Sequence, residues 1–463
     1  MRVLRVSTPR IFGKNIMKIT LKNKIEISEL SNSEKQHLTD NFTFENPKYI
    51  EAVKFGRSIR SIPKEICLAD QQADQLFLPM GCLNYVLNTF EAVVNDKRCI
   101  KSVSIPFLGE LRAYQETFVQ DAINAGGGLM VAATGSGKTY SGLALASRLG
   151  QRTLILVKSK DLAKQWIDEI KAITGCDAGL IGGGKNKEGD QFTVALTQSL
   201  SRLDDFILSR FEYGLVIADE AHNLPANQAF NVINNLTAKY KYGLTATPQR
   251  RDGLEMMITA SVGDVCAEVK QDQLDGKVLP VVVKTIELPF DADVDSWVGF
   301  LTELSKDETR NLLLVDHAIK SSKAVGTIIL CAHVNHCEEL AGLCLEANTK
   351  ALVLHGQLPA KERAERMART SESNLIIGTL SLLSEGVDLP HLGALIFGAP
   401  VSASIDKDTP AATRLIQSIG RVRRPYPNKS RAYVLDVIDK SGFGVSAWHK
   451  RRKIYQLQGF EVM

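Results

Sequence analysis

The sequence predicts an α/β fold: two parallel-sheet lobes in tandem, preceded by a small mixed α+β domain. Three observations lead there. A glycine-containing turn, Ala132-Ala133-Thr134-Gly135-Ser136-Gly137-Lys138-Thr139, lies between an apolar run and an amphipathic one. Strand-like apolar runs alternate with helix-like runs across residues 105–275 and again across 276–463, the pattern of parallel sheets with helices on both faces. Residues 1–104 stand apart in charge: 16 Lys+Arg against 11 Asp+Glu there leave a net −1 for the rest of a chain whose total is +4. A length of 463 residues allows about three domains, and 44% hydrophobic residues supply cores for them.

The first acid is Glu26, after seven basic residues. Met1 to Lys18 has the basic, acid-free composition of a transit segment, and equally of an extension ahead of a start at Met17. Between Lys18 and Ile27, the apolar Ile19, Leu21, Ile25 and Ile27 alternate with polar residues and predict a strand. Asn46-Pro47 and Pro79-Met80-Gly81 are turn signals, with short elements expected between them at Tyr49 to Lys54 and Glu65 to Leu68. Lys48, Lys54, Arg57, Arg60 and Lys64 suit either a phosphate-contacting surface or a solvated one.

The next region, 105–275, carries the glycine turn. Leu129 to Ala132 predicts a buried strand, and Tyr140 to Leu149 a helix stopped by Gly150. A glycine turn between them exposes backbone N–H groups at a helix N-terminus, which cradle a phosphate chain. Lys138 would reach the terminal phosphates and Thr139 would hold a magnesium ion. The loop is the A-x-x-G-x-G-K-T variant, with Ala132 where the strict pattern has glycine. Further strands are predicted at Thr153–Val157, Thr193–Thr197, Leu215–Ala218 and Lys241–Leu244. Leu162, Trp166 and Ile170 share one helix face, and Trp166 reads as core packing.

Ligands of such sheets bind beyond the carboxyl ends of the strands. Asp219-Glu220-Ala221-His222 follows one such end. Two adjacent acids there repel each other unless a cation is present, so Asp219 suits magnesium and Glu220 the attacking water. Thr245 and Thr247, in Leu244-Thr245-Ala246-Thr247-Pro248, close the following strand with hydroxyls placed to bond the acids and report nucleotide state.

Residues 276–463 repeat the plan without a phosphate loop. Strands are predicted at Val281–Leu288, Thr327–Ala332, Ala351–Leu354, Leu375–Thr379, Ala394–Phe397 and Ala432–Val437. Gln417, Arg421 and Arg424 fall at i, i+4 and i+7 and are expected on one helix face. Arginines there could stabilise the charge of phosphoryl transfer. The eight cysteines are scattered and form no C-x-x-C pair, as in a reduced compartment. Cys331, His333, His336 and Cys337 cluster, but their spacing fits no standard zinc pattern and reads as core and loop. No apolar run is long enough to span a membrane.

Taken in order, these motifs resemble those of superfamily two helicases and translocases across about residues 107–436. Leu111-Arg112-Ala113-Tyr114-Gln115 is similar to the family segment that contacts adenine, which implies nucleotide roles for Arg112 and Gln115. Asp219-Glu220-Ala221-His222 resembles the DEAH box of that family. Thr197-Gln198-Ser199-Leu200 resembles its T-x-x-S-L strand end near the nucleic-acid backbone. Thr245-Ala246-Thr247-Pro248-Gln249-Arg250-Arg251-Asp252-Gly253 resembles the branch that contains XPB-type helicases, and Gln417-x-x-Gly420-Arg421-x-x-Arg424 resembles the arginine-finger motif. Lys158 departs from the proline usual after the second strand. In the basic region, Asn46-Pro47-Lys48-Tyr49, Phe55-Gly56-Arg57 and Leu78-Pro79-x-Gly81 resemble phage UvsW-type branch-migration helicases, although Met80 stands where arginine is expected.

The resemblance implies two RecA-like lobes that close on ATP and Mg2+. Thr134, Gly135, Ser136, Gly137, Gly386 and Asp388 would join the nucleotide contacts, and Thr197, Gln198, Arg250 and Thr379 the nucleic-acid contacts. His222, Thr245 and Thr247 would couple the two. The expected protein is a monomeric DNA helicase acting on forked or branched DNA in recombination, repair or replication. It would work in the cytoplasm of a bacterial or phage-infected cell, beside single-strand-binding or recombination proteins. An RNA helicase, a duplex translocase that separates no strands, and an ATP-switched binding module remain as alternatives.

Overall fold

A computed structural model describes residues 2–4, 16–133, 135–224, 227–246, 254–270, 273, 279–290, 294–380, 389–401, 410–427 and 429–463. The chain divides into two compact units, Met1–Lys270 and Gln271–Met463. Among the described residues no helix is long and apolar enough to cross a membrane.

The first unit holds two large sheets. The N-terminal one uses β1 (Arg2–Leu4), β2 (Met17–Leu21) and β3 (Lys24–Ser28). A separate two-stranded ladder, β4 (Thr43–Glu45) with β5 (Glu65–Cys67), follows in sequence. The first sheet then takes up β6 (Asp70–Gln72), β7 (Gln75–Pro79) and β8 (Ala92–Asp96), in the order β1-β8-β2-β3-β7-β6. The single strand expected from Lys18 to Ile27 is therefore a hairpin. Leu21 pairs with Ile25 and Ile19 with Ile27. The same odd-numbered positions stay on the core face after the reversal, so alternation alone hides the turn. Pro47–Lys54, one of the expected short elements, is a helix capped by Asn46. Asn32–Asn41 is a further helix, closed by a capping box in which Ser31 and Glu34 exchange hydrogen bonds.

The second sheet of this unit contains β9 (Gly128–Ala132), β10 (Thr153–Val157), β11 (Ala178–Gly182), β12 (Lys185–Lys187), β13 (Phe192–Leu196), β14 (Leu215–Ala218), β15 (Tyr240–Thr245) and β16 (Val265–Val269). Their order is β12-β11-β13-β10-β14-β15-β9-β16, parallel except for the β11–β12 edge. Strands β9, β10, β13 and β14 are buried along their whole length, as expected where helices cover both faces. This order sets the carboxyl ends of β14, β15 and β9 side by side, with β10 and β13 next in line. The N-terminal sheet is not a separate body: Leu254, Met257 and Ala260, at the Glu255–Val262 helix, complete its core.

The second unit has a seven-stranded, all-parallel sheet: β17 (Val281–Leu288), β18 (Gly326–Cys331), β19 (Leu352–Leu354), β20 (Leu375–Thr379), β21 (Leu392–Phe397), β22 (Ala432–Asp439) and β23 (Glu461–Val462). The order is β19-β20-β18-β21-β22-β17-β23. These two parallel sheets are the expected RecA-like lobes. Four predicted strands, 153–157, 215–218, 281–288 and 375–379, coincide with the observed ones end to end.

Candidate nucleotide site

The glycine loop leaves the buried end of β9 and enters the helix Lys138–Leu149 through Gly137. Gly135 and Gly137 sit at φ +88 and +79, a region that side chains disfavour. At Gly137 there is a second reason: a Cβ would stand 2.6 Å from Gln115 Nε2. Gln115 is almost fully buried and uses both ends of its amide. Its Nε2 donates to the Ser136 carbonyl at 3.0 Å, and its Oε1 accepts from Arg112 N at 3.0 Å. Tyr114 Oη donates to the same Ser136 carbonyl at 3.0 Å. The Leu111–Gln115 segment thus braces the glycine loop. Lys138 Nζ donates to the carbonyl of Ala132 at 3.2 Å, and Thr139 lies half-buried in the first helical turn.

Two strands along the row of carboxyl ends, past β15, β14 delivers Asp219 and Glu220. Trp166 Nε1 donates to Asp219 Oδ2 at 2.8 Å, and Glu220 N donates to Asp219 Oδ1 at 2.9 Å. Trp166, expected only to pack, also fixes the rotamer of this carboxylate. A buried indole N–H needs a partner, and that requirement was the signal available in the sequence. A Cβ at Gly142 would press on Leu244 Cδ1 at 3.2 Å and meet the Trp166 ring at 3.4 Å, so the helix packs closely on the sheet and the ring here. Burial and the neighbouring Glu220 charge push the Asp219 carboxyl up to about 6, against the pull of the Trp166 N–H and the Lys138 ammonium. Glu220 itself adopts a left-handed backbone, φ +49, a strained state for a side-chain-bearing residue. His222 Nδ1 stands 3.2 Å from Glu220 Oε2 and 3.4 Å from Thr245 Oγ1, at the end of β15. A polar chain therefore runs from Glu220 through His222 to Thr245.

The residues fit a magnesium–nucleotide ligand. The Ser136 hydroxyl is buried in the loop with no hydrogen-bond partner among the described residues. Asp219 is oriented by two neutral donors rather than neutralised by a bonded cation, and Thr139 supplies a hydroxyl at the first helical turn.

Other expected site residues divide into three groups. Thr197 Oγ1 donates to the Val157 carbonyl at 3.2 Å, which ties the ends of β13 and β10 together beside exposed Lys158; Gln198 follows in the same short helix. Thr379 ends β20 and is buried. Arg421 is half-buried in the helix Pro410–Val422, but Arg424 lies past its end. The expected three-residue helical face is thus shortened, because Arg424 precedes Pro425 and a residue before proline disfavours helical backbone. Thr134, Thr247, Arg250, Gly386 and Asp388, and the side chain of Gln417, lie outside the described residues. The cysteine–histidine cluster forms core: Cys331 and Cys337 are buried, and His336 Nε2 bonds Asn311 Oδ1 at 3.1 Å. Burial holds His336 down at about 3. Among the described residues no group of three or more His, Cys, Asp or Glu is arranged to hold a metal.

Two family descriptions match the chain: the res subunit of type III restriction enzymes over residues 108–250 and the conserved C-terminal domain of helicases over 309–425. A probable helicase D10 of Escherichia phage T5 is 25% identical over 338 residues, covering 71% of this chain and 71% of that protein. A DNA 3'-5' helicase XPB of Kineococcus radiotolerans is 28% identical over 374 residues, covering 76% of this chain and 63% of that protein. This chain thus matches less than two thirds of that second relative. Among solved structures, a single-residue variant of S. cerevisiae Dbp5 bound to RNA and ADP BeF3 shares the fold over 77% of this chain and 90% of its own, with 17% identity and a TM-score of 0.56.

Proposed function

The chain belongs to superfamily two of the helicases, in the XPB-like branch, and on that premise we propose that it spends ATP to move along forked or branched DNA and to separate or exchange its strands. The observation that carries the motor reading is the row β14-β15-β9, whose ends bring Asp219, Thr245 and the glycine loop together. The branched-DNA reading rests on the basic region of residues 1–104 and on its UvsW-type segments. It sets the work in recombination, repair or replication, in the cytoplasm of a bacterial or phage-infected cell. Single-strand-binding or recombination proteins would work beside a monomer.

The chemistry follows from the side chains. The loop amides of Gly135, Ser136 and Gly137 take the phosphate chain, with Thr134, Gly386 and Asp388 as further nucleotide contacts and Arg112 and Gln115 toward the base. Magnesium bound with the nucleotide neutralises phosphate charge, and Thr139 and Asp219 would hold it. Trp166 keeps the Asp219 carboxylate aimed. Glu220 orients the water that attacks the γ-phosphorus and takes up its proton, while ADP leaves. Lys138, Arg421 and Arg424, with Gln417, stabilise the negative charge that develops. When Glu220 loses or gains its partner, His222 transmits the change to Thr245 and on to Thr247. Contacts from Thr197, Gln198, Arg250 and Thr379 to the strand then alternate in strength. Such contacts grip phosphates and read little sequence.

The test is ATP turnover with no nucleic acid, single-stranded DNA, blunt duplex, a four-way junction and RNA. Strongest stimulation by the junction supports the reading. Equal stimulation by any single strand makes the protein a general unwinding motor, and stimulation by RNA alone removes DNA as the substrate. Tight DNA binding with negligible turnover would make it an ATP-switched binding module instead.

A further inference from the structure

The stretch between β4 and β5 is built as a projection with a rigid base. Asn46 closes its two ends: Asn46 N donates to the Lys64 carbonyl at 2.9 Å and Asn46 Nδ2 to the Pro63 carbonyl at 2.9 Å. Asn46 Oδ1 also accepts from Lys48 N at 3.1 Å, which caps the Pro47–Lys54 helix. That helix stops abruptly. Gly56, at φ +62, lets Gly56 N reach the Val53 carbonyl and Arg57 N the Ala52 carbonyl. From Val53 to Ser61 every residue is exposed.

The projection exposes apolar side chains among its charged ones. Phe55 is 60% exposed, Val53 55% and Ile50 48%. Contiguous exposed apolar groups on a polar background mark a contact surface. Their surroundings select the partner: five cations, Lys48, Lys54, Arg57, Arg60 and Lys64, stand in this segment against one carboxylate, Glu51. Arg57 lies over the Phe55 ring, with Cζ 5.3 Å from the centroid. A flat ring paired with a guanidinium, in a segment rich in cations, suits a base that has left its stack, with the flanking phosphates on the cations. An apolar protein partner would need no such charge, and a duplex without unpaired bases would leave the ring unused.

We propose that this projection is a base-stacking pin: Phe55 takes an unpaired nucleobase at the junction of a fork, and Lys54, Arg57 and Arg60 hold the adjoining phosphates. The inference rests on the DNA reading above and specifies which feature of DNA the N-terminal region recognises.

The test measures affinity of the full chain, without ATP, for a forked DNA and for the same fork with an abasic site at the first unpaired position. The wild type should bind the abasic fork about fivefold or more weakly, the scale of one aromatic–base stack. Phe55→Ala should weaken binding to the intact fork by a like factor and become indifferent to the abasic site, while Phe55→Trp keeps the discrimination. Turnover without DNA should be unchanged in both variants, since neither touches the nucleotide site. Equal binding of both forks by the wild type, or undiminished discrimination by Phe55→Ala, overturns the pin and leaves the DNA motor standing. Failure of any DNA to bind the wild type or stimulate its turnover overturns the motor reading, and the pin with it.

Discussion

Asp219 follows a strand of the first unit's large parallel sheet, Asp436 and Asp439 lie on a strand of the second unit's sheet, and the two sheets treat these aspartates in opposite ways. In the second unit, Asp436 and Asp439 of β22 are fully buried and matched with arginines. Arg451 Nε and Nη2 donate to Asp436 Oδ1 at 3.0 and 2.7 Å, and Tyr455 Oη donates to Asp436 Oδ2 at 2.6 Å. Arg310 bonds Asp439 and also donates to the Gly398 carbonyl at 2.8 Å. In the first unit, among the described residues, Asp219 accepts from an indole N–H and a backbone N–H. Neutral donors orient a carboxylate without cancelling its charge. An arginine-paired aspartate has finished its electrostatic work within the fold, whereas Asp219, under the proposal above, would turn its field to a ligand.

Four substitutions would break or sharpen that contrast. The largest effect is expected from Lys138→Ala, which removes the ammonium proposed to meet the nucleotide phosphates: ATP turnover should fall by about a thousandfold or more, with DNA binding still measurable. Turnover retained in a clean preparation would remove the loop as the active site. Next, Arg451→Met strips a buried aspartate of its partner and should cost about 3–5 kcal/mol, read as a lowered denaturation midpoint for the second unit. A midpoint within error of the wild type would mean that the Asp436 pair adds nothing to the fold.

Trp166→Phe keeps the ring and deletes the donor. The Mg2+ concentration for half-maximal turnover should rise about tenfold, and binding of a non-hydrolysable nucleotide should acquire the same Mg2+ dependence. An unchanged requirement would reduce Trp166 to packing. The smallest effect is on stability. Because the folded Asp219 carboxyl titrates at about 6, above its ordinary value of 3.8, the folded state holds that proton more tightly than the unfolded chain. Without magnesium, the first unit should therefore lose stability as pH rises from about 4 through 6. Asp219→Asn should remove that loss and stabilise the metal-free protein by about 1 kcal/mol at pH 7.5, a figure reduced for the group's partial exposure. At pH 4 it should have no effect. Destabilisation at pH 7.5 would place Asp219 with Asp436, as a residue that serves the fold.

The strands that carry the site were legible because a strand covered on both faces is an apolar run bounded by turns, as 153–157 and 375–379 are. The loop and the acid pair were legible because their residue types have few other uses after such strands. Trp166 was missed because helical periodicity records which face is buried and says nothing of one polar atom on that face. The helix Asn32–Asn41 was missed although its S-x-x-E signature, Ser31 to Glu34, was present; it buries only Glu34 and Leu38 and has no apolar stripe to find. Arg424 shows the converse error, a helical spacing carried past the residue where Pro425 ends it.

Gly81 has a consequence for how the protein can be dissected. A Cβ there would collide with the Thr259 carbonyl oxygen, so backbone meets backbone between the N-terminal sheet and the Glu255–Val262 helix. Leu254, Met257 and Ala260 at that helix are walls of the N-terminal core as much as parts of the lobe. The basic region is therefore no detachable accessory. Truncation near residue 104 would yield not a minimal ATPase but a lobe with a raw apolar flank, prone to aggregate, and grafting the region onto another motor would require carrying this helix along with it.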